Sequence, residues 1–199
     1  MEPLLVETGD VTVVTLNRPE TLNALDTATL EELERAFKTL DARAVVMTGT
    51  GSAFCSGADL KERAEMTDDA WRAHHAILRR AFQAVRDSPA PTIAAVEGFA
   101  VAGGFELALA CDLIVAASDA VLGLPEVTRG IIPGAGGTQV LPQRLAKDLV
   151  LTGRRFDADE AERHGLVARL VEPGQALETA KALAEQIARN APLEHALAF

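Results

Sequence analysis

The 199-residue sequence predicts an α/β fold in a single domain, residues 1–199, and three observations support this. Strand and helix signals alternate from one end to the other, the order that builds sheets covered by helices. A hydrophobic fraction of 48% with 24% charged residues matches an ordinary globular chain. No repeat, low-complexity tract or Ser/Pro-rich linker marks a boundary, and a chain of this size buries about 70% of its unfolded surface.

Leu4–Val6 and Val11–Leu16 read as strands around a Gly9-Asp10 turn, a hairpin signal. Asp26 or Thr27 caps a helix over Ala28–Leu40, with Leu30, Leu33, Phe37 and Leu40 on one stripe. Ala44–Met47 is a short buried strand, followed by a turn at Thr48-Gly49-Thr50-Gly51. Thr67 or Asp68 caps a second helix that runs to Arg86 and stops before Ser88-Pro89. Thr92–Val96 is a strand, Gly103–Ala110 a helix and Leu113–Ala116 a strand. Short helices follow at Gly137–Leu145, Lys147–Thr152 and Asp157–His164; Val167–Val171 is extended and Gln175–Arg189 is an amphipathic helix.

Composition excludes several function classes. With 29 acidic and 19 basic residues the net charge is −10, which disfavours general nucleic-acid binding. Cys55 and Cys111 show no CxxC spacing and suggest free thiols in a reducing compartment, hence a cytoplasmic location. Glu2 and Glu7 stand where a secretory signal needs cations and apolar residues. The apolar stretch Thr92 to Ala117 contains Glu97, Glu106, Asp112 and three glycines, all costly in lipid, so no membrane role is expected. The four histidines show no metal spacing, and His74-His75 falls in a polar helix.

The chemistry concentrates in three segments: Phe54 to Lys61, Gly103 to Ala108, and Leu124 to Gln139. Glu106 could be a first-turn helix carboxylate and nothing more. However, Gly103-Gly104 opens the helix N-terminus to an anion, and the rest of that helix is apolar. An isolated carboxylate in such a place tends toward a raised pKa and a catalytic role. Glu126 follows Pro125 and equally fits an early helical turn. The loop Ile132–Gln139 has the glycines of a phosphate cradle but lacks the Gly-Lys-Ser/Thr ending of a P-loop. Cys55 has no neighbouring histidine and reads as packing. Two carboxylates with two glycine-flanked N–H donors suit chemistry beside an activated carbonyl.

The ordered set resembles the enoyl-CoA hydratase/isomerase (crotonase) family. The matching segments are Asn17-Arg18-Pro19 with Leu22-Asn23-Ala24-Leu25, Phe54 to Lys61, Gly98 to Asp112, Leu124 to Gln139, and Leu151-Thr152-Gly153 through Gly165-Leu166-Val167. Ala58 to Ala64 and Leu107 to Asp112 look most like the methylglutaconyl-CoA hydratase branch. The resemblance implies a spiral of ββα units over about residues 1–170 and the start of a C-terminal helical region, here shortened, over about 171–199. It implies an acyl-CoA substrate whose thioester oxygen lies between the N–H groups of Ala58 and Gly103. Glu106 and Glu126 take the acid/base positions. Arg18, Ala24, Ala58, Asp59, Leu60, Lys61, Gly103 and Gly134 fall on segments lining the substrate. No metal is implied, and no cofactor beyond the CoA carried by the substrate.

Keeping both glutamates favours reversible water addition to a 2-enoyl-CoA; a Δ3–Δ2 isomerase and a non-catalytic acyl-CoA-binding protein are the alternatives. The resemblance also implies a homotrimer, often paired into a hexamer. The apolar stripe Leu177, Ala180, Leu183, Ala184 and Ile187 therefore needs cover from a neighbouring subunit or from its own domain.

Overall fold

The structure, a computed structural model, describes residues 2–190. The expectations placed on residues 191–199 lie outside the described residues.

The chain opens with an antiparallel hairpin of β1 (Leu4–Glu7) and β2 (Val11–Leu16), as the Gly9-Asp10 signal predicts. The next helix, α1 (Thr27–Thr39), is capped by the Asp26 side chain and buries Leu30, Leu33 and Phe37. β3 (Ala44–Gly49) runs two residues past the predicted end, so Thr48 and Gly49 are strand rather than turn. β4 (Ala53–Cys55), α2 (Leu60–Ala64) and α3 (Asp68–Arg86) follow, the last capped by Thr67. Then come β5 (Thr92–Val96), β6 (Phe99–Val101), α4 (Gly103–Ala110), β7 (Leu113–Ala117) and β8 (Val121–Gly123).

A 3-10 turn spans Pro125–Arg129. α5 (Gly137–Val140) and α6 (Gln143–Thr152) replace the helices predicted at Gly137–Leu145 and Lys147–Thr152: Pro142 breaks the first, and the second crosses the expected gap. β9 (Arg155–Asp157), α7 (Ala158–Arg163), β10 (Arg169–Val171) and α8 (Ala176–Ala188) complete the described chain.

The strands alternate between two sheets. One has the order β1-β2-β3-β5-β7-β10 and the other β4-β6-β8-β9. Each successive strand pair, β3 with β4, β5 with β6, β7 with β8, advances one place along both sheets. The fold is thus a mixed α/β spiral with mainly parallel pairing. β5 is buried at all five positions, as a parallel strand covered on both faces must be.

One core fills the space enclosed by the spiral; it includes Phe54, Phe82, Phe105, Leu107 and Leu122. A second cluster sits on the outer face of the first sheet, where Ala176, Ala180 and Ala184 of α8 pack on Val46, Ile93 and Val115. Leu177, Leu183 and Ile187 are half-buried against the same cluster, so the α8 stripe is covered largely by its own sheet.

α1 and α3 pack side by side, and Phe82 is wholly buried at their contact with the core. Replacing it with alanine should cost about 3–5 kcal/mol through lost transfer energy and a residual cavity. Urea unfolding should show a lower midpoint with an unchanged slope; a loss under about 1 kcal/mol would mean that this region is not tightly packed.

Candidate active site

The first turn of α4 enters the interior beside the loop after β4, and side chains there would prevent the approach. A Cβ on Gly104 would fall on the Cys55 carbonyl. A Cβ on Gly57, whose φ is +93°, would lie 3.0 Å from the Gly103 nitrogen. One built on Gly103 would stand 3.7 Å from the Ala58 nitrogen, so the two expected donors are neighbours in space. Among the described residues neither the Ala58 nor the Gly103 N–H meets an acceptor on the protein.

Both peptides are held from the opposite side. The Gly57 carbonyl, which shares a peptide plane with the Ala58 N–H, accepts from Leu25 N–H at 2.8 Å. The Ala102 carbonyl, in plane with the Gly103 N–H, accepts from Phe105 and Glu106 N–H, each at 3.0 Å. Ala102 adopts φ 51° and ψ −130°, which a side chain rarely tolerates. Such strain stores on the order of 1–3 kcal/mol, and here it aims the donor.

The two glutamates have opposite surroundings. Glu106, buried on α4, accepts at Oε1 from the N–H groups of Ala135 (2.8 Å) and Gly137 (2.9 Å). The glycine-rich loop is therefore an anion cradle, and the anion is the protein's own carboxylate. No described residue bonds Oε2, which leaves one oxygen for a ligand. Glu126, in the 3-10 turn, is equally buried, and neither carboxyl oxygen has a hydrogen-bond partner among the described residues. Burial lifts its pKa to about 7, with the nearby Glu106 charge adding to the rise and the N–H of Glu126 itself opposing it. The isolation expected of Glu106 belongs instead to Glu126.

The remaining expected site residues fall nearby with different tasks. Asp59 caps α2 by accepting from Lys61 and Glu62 N–H. Burial raises its carboxyl, but those two N–H groups and Arg18 together hold it below the usual range. Arg18 donates to the Ala24 carbonyl and lies 3.0 Å from Asp59 and 3.2 Å from Asp26. Its guanidinium is thus committed to tying the Ala24 segment to α2, which removes it as a free phosphate partner. Lys61 is exposed and has no ion pair among the described residues, and Leu60 projects beside it at 47% exposure. Gly134 lies against the His75 ring.

Some functional neighbours escape a reading of the sequence. His74 is buried rather than solvated: its Nδ1 lies 3.0 Å from Thr27 Oγ1, and its Nε2 accepts from Arg63 Nε at 3.4 Å. Burial and the Arg63 charge keep the ring neutral, pushing its pKa down. Its only sequence signal is its place on the apolar face of α3. Cys55 is wholly buried, its thiol pushed up to about 12 by burial, so it is no nucleophile. It instead accepts from Gly57 N–H and donates to the Asn23 carbonyl, steadying the donor loop.

Residues 7–198 match the family described as enoyl-CoA hydratase/isomerase. The chain belongs to that family. A probable enoyl-CoA hydratase of Rhizobium meliloti is 47% identical over 196 residues, spanning 94% of this chain and 76% of the relative. A short-chain-enoyl-CoA hydratase of Clostridium acetobutylicum is 42% identical over 199 residues, spanning 96% and 76%. The crystal structure of an enoyl-CoA hydratase from Bacillus anthracis superposes with a TM-score of 0.91 at 44% identity, covering 96% of this chain and 78% of that one. Enoyl-CoA hydratase/isomerase proteins act on CoA thioesters, and the paired free N–H groups fit a thioester oxygen. Among the described residues no group of three His, Cys, Asp or Glu converges on a metal position, and no helix is long and apolar enough to cross a membrane.

The raised Glu126 carboxyl makes stability depend on pH. Between 4.5, the ordinary value, and about 7 the folded state keeps this proton while the unfolded state has lost it. The contribution is complete below that window and is lost as pH rises through it, a span on the order of 3 kcal/mol. Thermal unfolding of Glu126→Gln should therefore gain on wild type by several degrees between about pH 5 and pH 8. A gap that stays constant across that range would refute the buried, protonated carboxyl.

Proposed function

We propose that this protein is an enoyl-CoA hydratase that adds water reversibly across the 2,3 double bond of a 2-enoyl-CoA. The observation that carries this reading is the pair of buried carboxyl groups in opposite settings beside two N–H donors with no acceptor among the described residues. A Cβ on Gly137 would meet both Leu124 and Glu106, so the segment leading to Glu126 lies beside Glu106, and the Glu106 charge is near enough to raise the Glu126 carboxyl further.

In this reading the thioester oxygen accepts from the Ala58 and Gly103 N–H groups. A water held on Glu106 Oε2 gives up a proton as its oxygen bonds to C3. The electron pair of the double bond moves toward the thioester, and the enolate charge collects on the oxygen between the two donors. Loss of one such donor costs about 3–4 kcal/mol of transition-state stabilisation in comparable sites. Glu126, whose carboxyl is raised to about 7, supplies the proton to C2. Return of the Glu106 proton to Glu126 through solvent restores the starting state. An unpartnered acid beside a hydrogen-bonded base is the division of labour that hydration needs.

The relatives named as enoyl-CoA hydratases support the same reading. Lys61, exposed on α2 and without an ion pair among the described residues, supplies a cation for the CoA phosphates.

Loss of the conjugated enoyl-thioester absorbance of crotonyl-CoA measures the activity. Glu106→Gln and Glu126→Gln should each lower kcat by at least about 100-fold. Near-normal turnover by either variant would remove that residue from the mechanism. Inactivity of folded wild type on short, branched and long 2-enoyl-CoAs would defeat the hydratase reading. Double-bond movement in a 3-enoyl-CoA without water uptake would replace it with isomerisation, and CoA binding without any turnover would leave an acyl-CoA-binding protein.

A further inference from the structure

The loop that cradles Glu106 is exposed at Ile131, Ile132 and Gly134, yet its inner N–H groups must keep their aim at Oε1. Outside α5, the hydrogen bonds that tie residues 132–136 to the rest of the described fold all pass through one residue, Ala135. Its N–H donates to Glu106 Oε1 at 2.8 Å, and its carbonyl accepts from Arg86 Nη1 at 2.7 Å. Arg86 is the last residue of α3 and comes from a different layer of the spiral.

Two further observations mark this contact as specific. Arg86 is half-buried and has no carboxylate partner among the described residues; its other hydrogen bond runs from Nη2 to Gln83 Oε1 at 3.4 Å. A cation in that position gains from bonding a carbonyl more than a solvated lysine or arginine would. Gly136, next to the accepting carbonyl, has φ +124°, and a Cβ there would come within 2.9 Å of Arg86 Nη1. The loop thus leaves room for the guanidinium to reach it.

We propose that Arg86 is a positioning residue for Glu106: through the Ala135 carbonyl it clamps the loop whose N–H groups orient the carboxylate. Its catalytic consequence rests on Glu106 being the base of the proposed hydration. Among the described residues Arg86 makes no hydrogen bond or ion pair to Glu106 and acts on it only through Ala135. The clamp sets the direction of Oε2 and therefore the place of the attacking water, so its loss acts on kcat rather than on substrate affinity. An error of about 1 Å in such a placement can cost on the order of 100-fold in rate.

Wild type, Arg86→Met and Arg86→Lys should be compared by amide hydrogen exchange and by crotonyl-CoA hydration. In Arg86→Met, exchange in residues 133–140 should quicken by about tenfold or more while residues 27–39 stay as in wild type. Its kcat should fall at least about tenfold with KM within about threefold. Arg86→Lys, whose ammonium can donate to the same carbonyl, should recover most of both properties. If Arg86→Met does not fold, Arg86→Gln, whose amide is too short to reach Ala135, stands under the same criteria. Unchanged exchange in residues 133–140 would overturn the clamp. So would wild-type-like kcat in an Arg86 variant of an otherwise active enzyme. A wild type that hydrates no enoyl-CoA would defeat the functional reading alone, since the exchange measurement decides the clamp without substrate.

Discussion

The site depends on how closely α4 is allowed to approach β4. Gly104 lies against the Cys55 carbonyl with no room for a side chain, and Gly57 turns past the Gly103 nitrogen at a φ that favours glycine. Any Cβ at either position would push the helix away from the loop and separate the Ala58 and Gly103 N–H groups. The same docking carries Glu106 into the interior, because it lies one turn along α4. Donor pair and carboxylate are therefore consequences of one packing constraint, and the strained Ala102 backbone is the cost of making the turn so sharply.

Two residues of one type then receive different chemistry from their surroundings. The protein surrounds one side of Glu106 with peptide N–H groups, which replace water around a carboxylate. It buries Glu126 with no hydrogen bond from any other described residue, which favours the neutral acid. The elements responsible are distant in sequence: α4 and the loop before α5 for the first, the 3-10 turn after β8 for the second. Around them, the hydrogen bonds of Arg18, Asp59, Cys55 and Leu25 rigidify the donor loop. Preorganised donors stabilise developing charge without having to move during the reaction, which is why so many contacts serve positioning alone.

Much of the fold was legible because five of the six strands of the first sheet, with four to six residues each, are long enough to show a pattern. Thr92–Val96 is found as expected, and so is the helix Gly103–Ala110. The second sheet was not legible at all. Its strands, Ala53–Cys55, Phe99–Val101, Val121–Gly123 and Arg155–Asp157, have three residues each, too few for any periodicity to register. Helix α2 is similarly short and was hidden within the donor segment. Glu106 and Glu126 stood out from their apolar or glycine-rich settings, but which of them lacks hydrogen bonds is a tertiary property. The Ile132–Gln139 loop showed the glycines of a phosphate cradle without a P-loop ending, and its role as a cradle for Glu106 was hidden because that target lies about thirty residues upstream. Arg86 carried no signal beyond ending a helix.

The central claim is that burial raises the Glu126 carboxyl to about 7 while two peptide N–H groups hold and orient Glu106. Carbon-13 NMR of glutamate-labelled protein, followed through a pH titration, reads this directly. One carboxyl carbon should titrate near pH 7, disappear in Glu126→Gln and persist in Glu106→Gln. A titration in which every glutamate loses its proton in the ordinary range below about pH 5, or in which the high-pH signal vanishes with Glu106→Gln alone, would contradict the account.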